Sequence, residues 1–282
     1  MIKGPDLSNP FPGLRYFSGS DSKLFFGRDE QIGEVLRRLR RHRFLAVIGA
    51  SGSGKSSLIR AGVIPSLPQR RLADAAGPDW RIAITTPGNA PIANLARALA
   101  QPDALGPADL HPALRHSMLE ATLRRGTLGL IQAVQQARVG SNLLLLVDQF
   151  EELFRIHPRA DESEDQAGAF VRLILEASAQ RELPIYVLLT MRLDYLGDCV
   201  RIQGLTEAIN RGQYLIPNLN REQRRAVVTG PIELRGARLT PPLLHRLLND
   251  VDDDTSQLTT LQHALMRTWD YWQANRSSDD EP

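Results

Sequence analysis

Short apolar runs alternate along the chain with amphipathic segments. Five such runs predict β-strands, and the run 143–147 is aliphatic at every position, as is typical of a strand buried on both faces. Strands that alternate with helices predict a parallel sheet covered by helices on both faces, so we expect an α/β fold. The predicted strands are residues 44–48, 81–86, 143–147, 185–190 and 214–216.

Apolar residues at helical spacing predict the elements between these strands. One helix is expected before the first strand, on the spacing of the apolar residues in 32–39. A Pro-rich loop is expected at 101–112 and an acidic loop at 161–165. Further helices are predicted at residues 92–99, 127–138 and 166–180.

From about residue 221 the pattern is helical only. Three helices are expected at 221–229, 241–250 and 258–272, with Pro231 and Pro241 marking the breaks between them. This change of pattern predicts the domain organisation. It consists of an irregular segment at 1–24, an α/β core at 25–220, a small helical lid at 221–273 and a disordered acidic tail at 274–282.

A phosphate-binding motif follows the first predicted strand. Residues 49–56 read Gly-Ala-Ser-Gly-Ser-Gly-Lys-Ser, and a segment of helical character comes next. The glycines let backbone N–H groups turn toward an anion at a helix N-terminus. Lys55 is expected on the β- and γ-phosphates, the Ser56 hydroxyl on Mg²⁺ and Ser57 near the α-phosphate. The residues predicted to bind phosphates are Gly49, Ser51, Gly52, Ser53, Gly54, Lys55, Ser56 and Ser57.

A carboxylate closes the third predicted strand. Asp148 follows five aliphatic residues, and the carboxyl ends of parallel strands gather beside the ligand crevice. Asp148 is therefore expected to hold Mg²⁺ together with Ser56. Glu151 or Glu152 is expected to polarise an attacking water, and Glu152 is the preferred residue. The structural alternative is that these acids cap or favour the N-terminus of the following helix.

Two arginines lie where they can stabilise charge on a γ-phosphate. Arg192 closes the fourth predicted strand and is expected to sense that group, whereas a surface salt bridge with Asp194 is the alternative. Arg211 comes just before the fifth strand. It is either a finger that acts on a neighbouring subunit or an ordinary surface cation.

Composition limits the possible classes of protein. The 282 residues are 42% hydrophobic and carry a net charge of +2, which gives no broad case for a nucleic-acid or membrane partner. Only one cysteine is present and no apolar run approaches about 20 residues, so a cytoplasmic protein without disulfides or membrane spans is expected. One basic cluster is either a nucleic-acid patch or, as we favour, the solvated face of a helix: Arg37, Arg38, Arg40, Arg41 and Arg43.

The motifs, in their order along the chain, resemble a known family. Residues 9–14 read Asn-Pro-Phe-Pro-Gly-Leu, residues 25–28 read Phe-Phe-Gly-Arg, and residues 147–154 read Val-Asp-Gln-Phe-Glu-Glu-Leu-Phe. Together with the phosphate-binding motif they strongly resemble the novel STAND NTPases of the first type, from about residue 9 to residue 272. The resemblance implies an ASCE/AAA-like P-loop NTPase related to the NACHT and AP-ATPase families. Such signal-transduction ATPases are common in bacteria, where bacterial defence is an expected role.

The resemblance also implies roles for single residues. It places Phe26, Gly27 and Arg28 near the adenine and ribose, Arg192 at the sensor position and Glu152 at the carboxylate that supports hydrolysis in NACHT proteins. Relatives usually carry a proline just before the last lid helix, where it lines the adenine pocket. This chain has Thr259 there and no proline in 257–263, a departure that bears on base specificity and on the grip of the lid on ADP.

The expected function is an ATP-dependent molecular switch. It binds ATP or ADP with Mg²⁺, hydrolyses ATP slowly, self-associates in the ATP state and controls sensor or effector modules fused downstream or supplied by partners. Two alternatives belong to other classes. One is a nucleic-acid-dependent motor or loader that contacts DNA through the arginine-rich helix, and the other is a non-hydrolysing scaffold that keeps ADP as a structural cofactor.

Overall fold

The computed structural model describes residues 8–68, 79–106, 111–137, 140–155, 163–249 and 257–275, which form two compact units. The sheet unit contains Glu34–Ile48 and the described residues between 67 and 215. The helical unit contains residues 8–33, Gly49–Ser66 and the described residues from 216 onward. The predicted domain boundaries stay a prediction, and residues 276–282 of the predicted acidic tail lie outside the described residues.

A five-stranded parallel sheet forms the centre of the sheet unit, with the spatial order β2-β3-β4-β1-β5. Every residue of β1 and β3 is buried, which requires cover on both faces of the sheet. The register pairs Val147 with Leu189 and Val47 with Tyr214. The strands are β1 Phe44–Gly49, β2 Trp80–Thr85, β3 Asn142–Val147, β4 Ile185–Arg192 and β5 Gln213–Leu215.

Helices of the sheet unit bury their apolar residues in one continuous core with the strands. This core explains why the predicted strands and helices were correct to within a few residues, since burial follows the apolar pattern directly. The α-helices are Pro91–Leu99, Pro112–Leu123, Gly129–Ala137, Glu152–Arg155, Ser163–Ala179 and Leu205–Arg211, and a 3₁₀ segment covers Leu193–Arg201. The helix Asp29–His42 has residues in both units.

Two loop predictions in the sheet unit were partly wrong. The helix Pro112–Leu123 begins inside the predicted loop 101–112, because proline fits the first helical position, where no N–H bond is needed. Its apolar residues form no single stripe, since Leu114 and Met118 are exposed. The predicted acidic loop 161–165 overlaps the helix Ser163–Ala179, and its first two residues lie outside the described residues.

The helical unit contains the three predicted C-terminal helices, with one corrected boundary. The first helix continues through Pro231, which was expected to end it. Proline lacks only one helical N–H bond there, and Val228, Pro231 and Ile232 are buried at the spacing of one helix face. These helices pack against Phe11 in a second apolar cluster, which includes Trp269 of the last helix. They are Arg221–Leu234, Pro241–Asn249 and Gln257–Asn275.

The helical unit also contains the helix that follows β1. It runs through three consecutive segments, Lys55–Ser57, the π-helical Leu58–Val63 and Ile64–Ser66. The N-terminal part of the unit contains a 3₁₀ segment at Gly19–Leu24.

Candidate functional site

The loop between β1 and its helix turns through two left-handed glycines. Gly52 has a φ of 74° and Gly54 a φ of 84°, a conformation that glycine adopts without the strain that a side chain brings. The helix begins at Lys55, so its first N–H groups have no carbonyl partner within the helix. Such N–H groups and a turning backbone together favour the binding of an anion.

The polar side chains of this loop fit a polyphosphate. The Nζ atom of Lys55 donates to the carbonyl oxygens of Gly49 and Ala50, at 2.9 and 2.7 Å. Ser53 is buried, and its Oγ has no hydrogen-bond partner among the described residues. A buried hydroxyl without a partner is costly, and a phosphate oxygen is an acceptor that would relieve that cost.

The other loop serines occupy different surroundings. Ser51 is exposed, whereas Ser56 is half-buried in the first helical turn. The hydroxyl oxygen of Ser57 accepts a hydrogen bond from the Phe17 N–H at 3.1 Å, which ties the loop to the N-terminal segment. The phosphate contacts of these serines stay predictions.

Arg28 braces the phosphate loop, a role that the sequence did not predict. The side chain is buried, and its guanidinium donates to the carbonyl of Ser53 at 3.3 Å and to that of Pro217 at 2.9 Å. One planar cation therefore joins the loop to the segment after β5. Its predicted contact with the nucleotide stays a prediction.

Phe26 and Gly27 meet the first C-terminal helix at close range. Gly27 has a φ of 77°, and a Cβ there would lie 2.5 Å from the carbonyl oxygen of Gln223. A Cβ on Gly230 would lie 2.5 Å from the ring of Phe26. Two glycines thus allow the helix and the Phe-Gly-Arg segment to touch.

The last helix begins beside the phosphate loop. Leu258 lies in its first turn, with a side-chain carbon 3.5 Å from the point where a Cβ on Gly54 would be. Thr259, which stands where relatives usually have proline, is half-buried in the same turn. Its contact with a base stays a prediction.

In the sheet unit, β3 ends in an acidic turn that β4 holds in place. Asp148 is buried, and its Oδ1 accepts a hydrogen bond from the Thr190 hydroxyl at 2.7 Å. The Gln149 N–H donates to the same hydroxyl oxygen at 3.0 Å, and the Phe150 N–H donates to the Thr190 carbonyl at 2.9 Å. A carboxylate held in this way offers the hard oxygen ligand that Mg²⁺ prefers.

The two glutamates after Asp148 have different partners. Glu151 is buried, and its Oε2 accepts a hydrogen bond from the Arg192 N–H at 3.3 Å. Glu152 is half-buried at the start of a short helix, with its Oε2 3.9 Å from the point where a Cβ on Gly88 would be. The carboxylate of Glu151 is therefore engaged with the end of β4, and the choice of Glu152 as the base stays a prediction.

Arg192 forms the predicted alternative contact. Its guanidinium pairs with Asp194 and lies over the ring of Tyr195, 5.7 Å from the ring centre. The hydrogen bond to Asp194 raises the pKa of Arg192 further above its usual range, so the side chain stays charged. A sensor role would require Arg192 to exchange Asp194 for a phosphate.

The order of strands places the ends of β1, β4 and β3 next to each other at one edge of the sheet. These ends lead into the phosphate loop, Arg192 and Asp148, respectively. The profile of the family described as Novel STAND NTPase 1 matches residues 10–280. The chain belongs to this family. As a novel STAND NTPase it has the α/β fold of P-loop NTPases, as predicted.

Solved structures support the fold of this novel STAND NTPase. The chain is similar to a chain of the Escherichia coli MS115-1 HORMA:CdnC:Trip13 complex, with a TM-score of 0.54, 16% identity and coverage of 95% of this chain and 97% of that one. It is also similar to the ORC2 protein of Aeropyrum pernix, with a TM-score of 0.61, 14% identity and coverage of 90% and 66%. A Walker-type ATPase of Pyrococcus abyssi gives a TM-score of 0.57, 14% identity and coverage of 93% and 73%. No curated protein matches the chain.

Some arginines of the basic cluster make hydrogen bonds within the sheet unit. Arg38 donates to the Gln213 carbonyl and lies 5.3 Å from the centre of the Tyr214 ring. Arg43 donates to the carbonyls of Gln180 and Leu183 at 3.3 and 2.8 Å. Two of the five arginines therefore join elements of the fold. Within the described residues, no helix is long and apolar enough to cross a bilayer.

Proposed function

We propose that this novel STAND NTPase binds ATP or ADP with Mg²⁺ and acts as a nucleotide-controlled switch. The observation that carries the proposal is the phosphate loop. It follows an interior strand of a parallel sheet, precedes a helix and contains a buried hydroxyl that has no partner among the residues that the structure describes. Family membership supports nucleotide binding. The Aeropyrum pernix ORC2 protein, which shares the fold, was solved in ADPNP–ADP complexes.

Separate groups of residues bind the separate parts of the nucleotide. Lys55 and the N–H groups of the loop bind the phosphates, and Ser56 and Asp148 hold the Mg²⁺. When bound there, the ion would supply positive charge beside the phosphates. Phe26, Gly27 and Arg28 bind the base and ribose in this proposal.

Hydrolysis uses the acidic turn. The Glu152 carboxylate accepts a proton from water as the water oxygen bonds to the γ-phosphorus and the bond to the β–γ bridging oxygen breaks. Glu151 holds the backbone of Arg192, as its hydrogen bond suggests. The Arg192 guanidinium leaves Asp194 and stabilises charge on the γ-phosphate.

The switch follows from the one phosphate by which ATP differs from ADP. A ligand shifts a conformational equilibrium only by contacts that differ between the two states, and Arg192 would supply such a contact. We propose that ATP favours self-association and the activation of fused or partner modules, and that slow hydrolysis reverses this.

Calorimetric titration with ATP, ADP and Mg²⁺ tests the site. Lys55→Ala is expected to weaken binding at least tenfold, because the loop loses its only side-chain cation. Lys23→Ala is the matched control, since Lys23 is exposed and lies outside the phosphate loop. Equal affinity of Lys55→Ala and wild type would refute the assignment.

Turnover separates the switch from an inert scaffold. Glu152→Gln is expected to retain nucleotide binding and to lower the rate of phosphate release about 100-fold, a typical loss for a general base. Glu151→Gln should affect folding stability more than Glu152→Gln does, because the Glu151 carboxylate is buried and bonded. If wild type and Glu152→Gln are equally inactive, hydrolysis has no support.

A further inference from the structure

We propose that Thr190 is a positioning residue for the metal ligand Asp148. Its hydroxyl fixes the plane of the Asp148 carboxylate and, through the same atom, fixes the turn that carries the two glutamates. The proposal rests on the proposed Mg²⁺-nucleotide function, because it concerns how one ligand of that ion is oriented.

The register of the sheet brings the two side chains together. β3 and β4 are parallel neighbours that pair Val147 with Leu189, so Asp148 and Thr190 are the next pair along the two chains. Paired residues of neighbouring strands project to the same side of the sheet. Only 2% of Asp148 and 1% of Thr190 is exposed, so water does not compete for their hydrogen bond.

The hydrogen-bond directions are determined by the chemistry of the groups. The backbone N–H of Gln149 can only donate, so it uses a lone pair of the Thr190 hydroxyl at 3.0 Å. The hydroxyl has one proton, and its other neighbour at 2.7 Å is Oδ1 of Asp148. The proton therefore points at the carboxylate, and the bond is a charge-assisted one.

The same residue stabilises a strained backbone. Gln149 has a φ of 57°, the left-handed region, which costs a residue with a side chain roughly 1 kcal/mol or more. The N–H groups of Gln149 and Phe150 donate to the hydroxyl oxygen and to the carbonyl oxygen of Thr190, respectively. The strained turn is thus held by β4, and it determines where the next residues, Glu151 and Glu152, begin.

A group that orients a metal ligand without touching the metal has a recognisable effect. Loss of such a partner typically lowers metal affinity about 10- to 100-fold. Binding of nucleotide without the metal should not change, because the phosphate loop is untouched. A purely structural threonine would lower thermal stability and leave the dependence on Mg²⁺ as it was.

Thr190→Val and Thr190→Ser form a matched pair for this test. Valine keeps the shape of threonine and removes the hydroxyl, whereas serine keeps the hydroxyl. We would measure the MgCl₂ concentration for half-maximal ATPase rate, and the affinity for ADP in EDTA by calorimetry. Thr190→Val is expected to need at least tenfold more Mg²⁺ with unchanged ADP affinity, and Thr190→Ser should stay within about threefold of wild type.

The outcomes distinguish this proposal from the proposed function. If wild type itself shows no nucleotide binding or no response to Mg²⁺, the proposed function fails. If wild type responds and Thr190→Val has the same half-maximal Mg²⁺ concentration, the positioning role of Thr190 is refuted. Should Thr190→Val not fold, the same comparison is made with Thr190→Ala in a Gln149→Gly background, where glycine relieves the left-handed strain.

Discussion

Gly27 stands at a position where only a residue without a side chain fits. Its left-handed backbone and the carbonyl oxygen of Gln223, 2.5 Å from a would-be Cβ, both exclude larger residues. The carbonyl belongs to the helix backbone and has little freedom to move. A single residue thus sets how closely the Phe-Gly-Arg segment approaches the helix Arg221–Leu234.

Gly27→Ala is therefore expected to lower the free energy of unfolding by about 2–4 kcal/mol, from strain and from overpacking. Urea unfolding followed by tryptophan fluorescence measures the change. Gly197→Ala is the control, because no atom of another described residue, its chain neighbours apart, lies within 4 Å of the would-be Cβ of Gly197, and its backbone is not left-handed. A loss below about 1 kcal/mol in Gly27→Ala would contradict the close contact.

The contribution of Cys199 to folding stability is expected to depend on pH in the alkaline range. Burial raises the pKa of its thiol to about 11, and nearby Asp198 adds to the shift. The folded state then keeps its proton where the unfolded thiol, with a pKa of about 8.5, has lost it. Because the unfolded state gains from ionising first, the contribution of Cys199 to stability is complete below about pH 8.5 and declines as pH rises toward 11.

Comparison with Cys199→Ala isolates this effect from other groups. Unfolding midpoints in urea for both proteins at pH 8, 9 and 10 should show the advantage of wild type shrinking as pH rises. A constant difference between the two proteins would mean that the thiol is not shielded from ionisation.

Among the helices and loops, one set of hydrogen bonds caps the start of a helix, and another set joins segments to each other. Asn220 caps the helix Arg221–Leu234. Its Oδ1 accepts a hydrogen bond from the Gln223 N–H at 2.8 Å, and the Asn220 N–H donates to Oε1 of Gln223 at 3.1 Å. Arg28 instead joins three segments through its guanidinium. The Asn220 cap stabilises the start of one helix, whereas the Arg28 hydrogen bonds stabilise contacts between segments.

Asn220→Ala is expected to destabilise the protein by about 1 kcal/mol, as is typical for the loss of a helix cap. Asn220→Ser keeps a capping oxygen and should lose less than half as much. Thermal unfolding by circular dichroism measures both, and equal losses in the two variants would argue against the cap.

Arg28→Ala should cost more, about 3 kcal/mol, because the carbonyls of Ser53 and Pro217 each lose a charged donor, and the bond to Ser53 is buried. Arg37→Ala is the matched control, an exposed arginine paired with Glu34, and should cost less than about 1 kcal/mol. Denaturant unfolding measures both variants. Similar losses would show that the Arg28 bonds contribute little.

At the scale of the whole molecule, the two units are interleaved along the chain. The sheet unit contains Asp148, and the helical unit contains the phosphate loop. Each unit is built from segments that lie far apart in sequence. A ligand that binds only the folded chain should stabilise it by linkage. At 100 times its dissociation constant, a ligand adds about 2.7 kcal/mol.

Mg²⁺-ATP is accordingly expected to raise the melting temperature of wild type, and Asp148→Asn should keep the shift caused by ADP in EDTA but lose the added effect of Mg²⁺. Differential scanning fluorimetry measures the melting temperatures of both proteins with each ligand. Native mass spectrometry with ATP and with ADP then tests self-association, for which higher assemblies are expected only with ATP. The same assembly state with either nucleotide would refute that part of the switch.

The five strands, most of the helices, the phosphate loop and the family can all be predicted from the sequence alone. These features depend on contiguous motifs and on apolar spacing, which follow from local geometry and burial. Even so, the tertiary structure decided two local outcomes. The helix Pro112–Leu123 lacks a single apolar stripe, and Pro231 stays inside its helix because a buried face continues through it.

The side chains that hold the motifs in place could be identified only from the three-dimensional fold. Thr190 lies 42 residues from Asp148, and Arg28 lies 189 residues from Pro217. The three-dimensional fold also decided that Glu151, rather than Glu152, bonds the end of β4. Such bonds depend on which strand lies beside which and on the register between them, and neither is written in the residues near the motif.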